Sequence, residues 1–318
     1  MSGTLTRDRL VTGILRFLEG EDLLPVSQIR TSLERAIDDA GADALVALRQ
    51  QLAADDGWSY YPPSRLASRI HHLLSDRFLQ PDSRVLGEEH LQTVGSGPLM
   101  IFANHLSYAD ANVFQLLVHR AGYEALAQRL TALAGPKIFT SRQRRFSSLC
   151  FGTIKVPQSA DVSSEEAVLN PREVARAARH AIDLAAQRLA AGDALMLFGE
   201  GRRSRTAQMQ RSLPAVARYI EAAPDVWVLP VGIAGTEALF PVGDVTVRPT
   251  SVHLHVGTPI PAHRLATVCN GHRQTMMDVI ALRIAELLPA SYRGVYQDAG
   301  LLPRAEQALA RYVEADLP

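Results

Sequence analysis

Apolar positions recur at helical spacing through residues 1–80 and change character beyond Pro81. Ile14, Phe17 and Leu18 fall on one helical stripe, as do Leu33 and Ile37 and then Leu45 and Leu48. Pro25 and Ser27 open a second helix, and Gly41 and Gly57 interrupt the pattern. Pro62 and Pro63 precede a helix over Arg65–Leu79, whose Leu66, Ile70, Leu73 and Leu74 share a face. The pattern needs no strand before Pro81. Residues 1–82 therefore read as a small all-helical N-terminal domain.

From residue 83 short apolar runs alternate with longer helical patterns. The runs are Leu99–Ala103, Gly152–Val156, Ala194–Phe198, Val226–Ile233 and Ser251–Val256. The intervening helices are clearest at 171–191, and residues 275–288 and 303–314 read as closing helices. Continuous apolar runs separated by helices predict an α/β fold with a mostly parallel sheet flanked by helices. The last run alternates Val252, Leu254 and Val256 with His253 and His255, so one of its faces is expected to be less buried. This second domain is expected to fill residues 83–318.

Composition narrows the classes. With 318 residues and 47% apolar positions the chain can bury a large core. Thirty-three basic and 33 acidic residues give a formal net charge of zero, so nothing global points to nucleic acid, and anion binding must come from local clusters. The two cysteines, Cys150 and Cys269, form no metal or disulfide framework. The start of the chain lacks the pattern of a signal peptide, and no apolar window approaches a membrane span. The expectation is a soluble cytoplasmic protein with at most peripheral contact at a membrane.

Two run ends carry chemistry. Leu99–Ala103 leads into Asn104-His105-Leu106-Ser107-Tyr108-Ala109-Asp110. In an open α/β sheet, ligands bind beyond the carboxyl ends of the strands. A neutral imidazole there can take a proton from a hydroxyl, and a carboxylate on its other nitrogen fixes the tautomer. Ser107 and Asp110 also have the spacing of a helix capping box, which would employ Asp110 structurally. Ala194–Phe198 leads into Gly199-Glu200-Gly201-Arg202-Arg203-Ser204-Arg205. Its glycines permit close backbone approach, and its arginines can grip a phosphate or carboxylate. Arg142, Arg144 and Arg145, with Phe139 and Phe146, form a basic turn suited either to anionic groups or to solvent. The pairs His71-His72 and His253/His255 suggest a metal, but adjacent helical residues point about 100° apart and no acidic or cysteine set stands at ligand spacing.

These segments resemble the glycerolipid acyltransferases, the lysophosphatidate-acyltransferase-like superfamily. His105-x4-Asp110 is similar to the family's catalytic block. The segment from Lys137 to Pro157, with Lys155 inside Gly152–Val156, resembles the second. Phe198-Gly-Glu200-Gly201-Arg202-Arg203-Ser204 resembles the third, and Val228–Ile233 the fourth. Gly235-Thr236-Glu237, Phe240-Pro241 and Gly257-Thr258-Pro259-Ile260 read like the family's tail, so the likeness covers roughly residues 85–295. The third block departs at Gly199 and Arg202, where the family usually has Pro and Thr. The second ends at Gln158, where the family usually has an arginine that holds the acceptor phosphate.

The resemblance implies an enzyme that moves a fatty acyl group from acyl-coenzyme A or an acyl carrier protein to a hydroxyl of a glycerol-phosphate-like or lysophospholipid-like acceptor. His105 would be the general base, oriented by Asp110. Glu200, Gly201, Arg202, Arg203, Lys137 and Lys155 would bind substrate. No metal or resident cofactor is expected, because a thioester is already activated. Gln158 leaves open which acceptor is used, and Arg202 can supply the missing charge. An acyl thioesterase and a non-catalytic lipid- or acyl-carrier-binding module stand as alternatives.

Overall fold

The computed structural model describes residues 5–18, 26–54, 57–75, 77–157, 170–243 and 246–314; Pro25 and Gln158 lie outside them. Helices α1 (Arg7–Leu18), α2 (Val26–Ala53) and α3 (Arg65–Ser75) make up the N-terminal region. Gly41, at φ 82°, breaks α2 where the pattern is interrupted. Between α2 and α3 lies β1 (Tyr60–Tyr61), which pairs antiparallel with β5 (Gly152–Lys155). This corrects the expectation of no strand before Pro81. A two-residue edge strand needs only backbone groups to cap an open sheet edge, so it leaves no hydrophobic run to detect.

The remaining strands are β2 (Arg84–Leu86), β3 (Leu99–Ala103), β4 (Leu130–Ala134), β6 (Ala194–Phe198), β7 (Trp227–Ala234), β8 (His253–Val256) and β9 (Ile260–Pro261). The sheet order is β1-β5-β4-β6-β3-β7-β8-β2, with β9 on β7. Strands β5, β4, β6, β3 and β7 are parallel to one another, and β1, β8 and β9 pair antiparallel. The mostly parallel α/β class thus holds. The pattern also hides β2, β9 and the longer β4. The Leu-Thr-Ala-Leu-Ala of β4 continues the Ala- and Leu-rich composition of the helix before it, and pairing on both sides overrides that propensity.

Period-two alternation explains the unbroken apolar runs. Leu99, Ile101 and Ala103 of β3 join one core cluster, while Met100 and Phe102 join the other. The first cluster takes in α1, α2 and α3, together with α4 (Glu89–Val94), α5 (Asp110–Arg120) and α6 (Glu124–Gln128). Helix α7 (Arg142–Ser148) lies beside α2 and α3. The second takes in α8 (Pro171–Ala190), α9 (Ala217–Glu221), α11 (Ala262–Val268), α12 (Arg273–Leu287) and α13 (Pro303–Glu314), with the short α10 (Thr236–Leu239) following β7. Helix α8 starts on a full capping box: Asn170 accepts from the Glu173 N–H and Glu173 accepts from that of Asn170. No helix of the described residues is long and apolar enough to cross a membrane.

Ala103 pairs with Phe198 and with Val231, so the chain leaves β3, β6 and β7 along one edge of the sheet. Asn104 then extends the β3–β7 ladder with its side chain. Its Nδ2 donates to the Ile233 carbonyl at 2.9 Å, and its Oδ1 accepts from the Ile233 N–H at 2.7 Å. Asn104→Ala leaves both backbone groups buried and unpaired. At about 1–3 kcal/mol for each, the loss of stability should be roughly 2–6 kcal/mol. Urea unfolding should show this as a lower midpoint at unchanged slope.

Candidate active site

The turn from β3 into α5 is built around Asp110, which is fully buried. Its Oδ2 accepts from the Leu106 N–H at 2.8 Å and from His105 Nδ1 at 2.8 Å, and the Ser107 N–H bridges both oxygens at 3.0 and 3.1 Å. Its Oδ1 also accepts from Thr236 Oγ1 at 2.6 Å. The two readings of Asp110 therefore meet in one side chain. Its bond to the Ser107 N–H is one half of a capping box, but the Ser107 hydroxyl donates to the Phe240 carbonyl rather than completing it. The bond to Asp110 places the proton on Nδ1 of His105, because a carboxylate only accepts. The Nε2 lone pair is then available for chemistry. The imidazole stacks on Phe198, with centroids 4.0 Å apart and planes at 17°, and it remains 19% exposed at the wall of a cavity.

The turn after β6 holds His105 from below. Glu200 is buried; its Oε1 accepts from the His105 N–H at 3.0 Å, and its Oε2 accepts from the Gln210 N–H at 2.8 Å. The Ser204 N–H donates to the His105 carbonyl at 2.7 Å. Gly201, at φ 68°, makes the reversal that lets this loop fold back on itself. Gly235 does the same after β7 at φ 101°, where a Cβ would stand 2.2 Å from the Ser251 carbonyl oxygen. That tight turn delivers Thr236 to Asp110.

The cavity has a volume of about 1880 Å³. Leu10, Ile14 and Phe78 line it from the N-terminal side, and Val174, Ala178 and Ile182 of α8 line it from the other. Lys137, Arg142, Arg144, Arg202, Arg203 and Arg205 line the same cavity as His105. The Arg203 guanidinium lies 3.4 Å above the Tyr108 ring, and Arg144 donates to the Tyr108 hydroxyl at 3.0 Å, so one tyrosine braces two cations. Burial draws the Arg203 pKa down from its ordinary value. Arg202 is exposed at the same wall.

His105, Gly201, Arg202, Arg203 and Lys137 thus line one cavity, and Asp110 is buried behind His105. Glu200 is in the same place but turned to the backbone. Lys155 stands apart: its ammonium lies over Trp58 at 5.3 Å and Phe139 at 4.9 Å and does not line the cavity. Position 158, where the acceptor arginine is missing, lies outside the described residues. Arg145 does not line the cavity; its guanidinium lies 4.0 Å from the Tyr61 ring centre and 4.8 Å from that of Phe139. Sequence reasoning did not find the roles of Thr236, Tyr108 and Phe198. Thr236 contacts a residue 126 positions away, and the only signal was its place beside the fourth block.

Residues 82–234 match the family model described as Acyltransferase. A comparison with curated proteins found no match. Among solved structures, the chain is similar to the crystal structure of the 1-acyl-sn-glycerophosphate (LPA) acyltransferase, PlsC, from Thermotoga maritima. The identity is 18% and the TM-score 0.47, over 89% of this chain and 98% of that one.

The site makes stability depend on pH. Burial pushes the Glu200 carboxyl up to about 7, against the pull of its backbone donors and of Arg202. Between the ordinary carboxylate range and about 7 the folded protein holds a proton there that the unfolded chain has lost. That contribution is present at low pH and is lost as pH rises through about 7. From about pH 5 to about pH 8, wild type should lose roughly 2 kcal/mol relative to Glu200→Gln, as read by urea unfolding at each pH. A difference that does not vary with pH would show that the backbone bonds fully offset the burial.

Proposed function

We propose, from the match of residues 82–234 to the Acyltransferase family model, that the chain transfers a fatty acyl group from a thioester donor to the hydroxyl of an anionic, lipid-like acceptor. The observation that carries this reading is the His105–Asp110 pair, whose imidazole faces a cavity with both apolar walls and guanidinium groups. His105 Nε2 takes the acceptor's hydroxyl proton as the oxygen attacks the thioester carbonyl. Asp110 holds the tautomer and stabilises the imidazolium. The carbon–sulfur bond breaks as the ester forms, and the thiolate leaves with the proton from His105, as free coenzyme A or a carrier thiol.

Arg203, fixed by Tyr108, and Arg202 receive the acceptor's anionic head, and Lys137 adds a further charge at the same wall. Gly201 permits close approach there. In this reading the chemistry belongs to a domain of residues 83–318. Residues 1–82 form a second unit that closes one apolar side of the cavity through Leu10 and Ile14. An acceptor of this kind reaches the site by peripheral contact with a membrane.

Incubation with acyl-coenzyme A and a panel of glycerol phosphate, lysolipids and uncharged alcohols, with products read by mass spectrometry, tests the assignment. Ester formation should exceed hydrolysis of the thioester, and His105→Ala should lower kcat by about 10²–10⁴-fold without unfolding the protein. Thioester hydrolysis that no acceptor suppresses would replace the transferase reading with a thioesterase.

Asp110→Asn separates orientation from capping. Asparagine caps about as well as aspartate, so near-normal turnover would leave Asp110 a purely structural role. The expected result is a loss of kcat approaching that of His105→Ala.

Arg203→Ala should raise the acceptor KM by roughly ten- to a hundredfold and leave the donor KM nearly unchanged. The opposite split would move the arginines to the donor's phosphates.

A further inference from the structure

We propose that Glu200 is a positioning residue that acts on His105 through the backbone and makes no contact with the acceptor. This goes beyond the proposed acyl transfer, and its mechanism rests on that reading. The third-block resemblance gives Glu200 a substrate-binding role, but the geometry points elsewhere. Both carboxylate oxygens are already engaged, one by the His105 N–H and one by the Gln210 N–H. The side chain is 4% exposed and is not part of the cavity wall, whereas its neighbours Gly201, Arg202 and Arg203 are.

The consequence for His105 is specific. Its N–H is held by Glu200 and its carbonyl by the Ser204 N–H, so the loop after β6 fixes the residue from both ends of its backbone. Asn104 before it is tied to Ile233 near the end of β7, and Asp110 beyond it to Thr236 at the start of α10. The turn that presents the imidazole is thus pinned at successive points to loops on either side. Glu200 reaches the His105 backbone with a side chain from the loop after β6, whereas Asp110 holds the ring from within the same turn. A misplacement of about 1 Å in a reacting group can cost about a hundredfold in rate.

Glu200→Gln separates the two roles. A carboxylate can accept from two N–H groups at once, whereas an amide offers one oxygen and turns its NH₂ group against the second donor. A residue that holds substrate would instead show its loss in KM. The experiment measures kcat and both KM values for wild type, Glu200→Gln and Glu200→Asp, the last keeping the charge but lacking the reach. It also records the proton NMR signal of the His105 Nδ1–H in ¹⁵N-histidine-labelled protein, assigned by its absence in His105→Ala.

For both variants kcat should fall by about 10–100-fold with both KM values held within about twofold. The Nδ1–H signal should shift or broaden in the folded protein. A raised acceptor KM with kcat and the NMR signal unchanged would overturn the proposal. Should Glu200→Gln fail to fold, Glu200→Asp decides by the same criteria. If wild type itself transfers no acyl group, the functional reading fails, and the NMR signal still decides whether Glu200 positions His105.

Discussion

The site depends on one carboxylate being completely removed from water. Asp110 has no exposed surface, and a buried carboxylate is tolerated only where donors replace its hydration. Here the donors are two backbone N–H groups of its own turn, the His105 ring and the Thr236 hydroxyl. Each restrains a different segment. The turn cannot open without exposing the charge, the ring cannot rotate without losing its partner, and the end of β7 cannot withdraw without taking a donor with it. The same need for donors that makes Asp110 hard to bury therefore fixes the orientation of His105.

That arrangement is possible because β3, β6 and β7 run parallel and adjacent. Their carboxyl ends reach one edge together, and their following loops meet there without any one of them being long. The buried polar groups at this edge are paired across loops: Asn104 with Ile233, Glu200 with His105 and Gln210, and Ser107 with Phe240. A loop edge that is both polar and dry must be cross-linked in this way, and cross-linking makes it rigid enough to hold a reactive group. Glu200 shows the tension in this design, since burial raises its pKa to about 7 while its two backbone bonds favour the charge.

The cavity joins this polar edge to apolar surface. Its walls come from both core clusters, so it wraps around the sheet edge rather than entering one layer. Helix α1 lies outside the residues that match the family model, yet it supplies Leu10 and Ile14 to one wall. The N-terminal helices are continuous in packing with the sheet through the first cluster, and β1 closes the outer edge of β5.

Much of this was legible in one dimension. Continuous apolar runs located β3, β6 and β7, because strands buried on both faces cannot spare polar positions, while β5 showed as a shorter run and β8 by its alternation with His253 and His255. The helical pattern over 171–191 located α8, because an amphipathic helix carries its period along its own length. His105 and Asp110 could be paired because they share one tight turn. Strands β1, β2, β4 and β9 were not legible, because two or three residues carry no periodicity and β4 has a helical composition that only its neighbours overrule. Nor could the sequence distinguish Glu200 as a ligand for substrate from Glu200 as a ligand for backbone, or place Lys155 against Trp58 and Phe139 rather than at the cavity. The sequence by itself determined the class of fold and the residues able to do chemistry, because both follow from burial and from side-chain type. Only the tertiary structure decided which of those side chains face the cavity, because hydrogen-bond partners such as Thr236 and Asp110, 126 positions apart, are chosen by strand order rather than by separation along the chain.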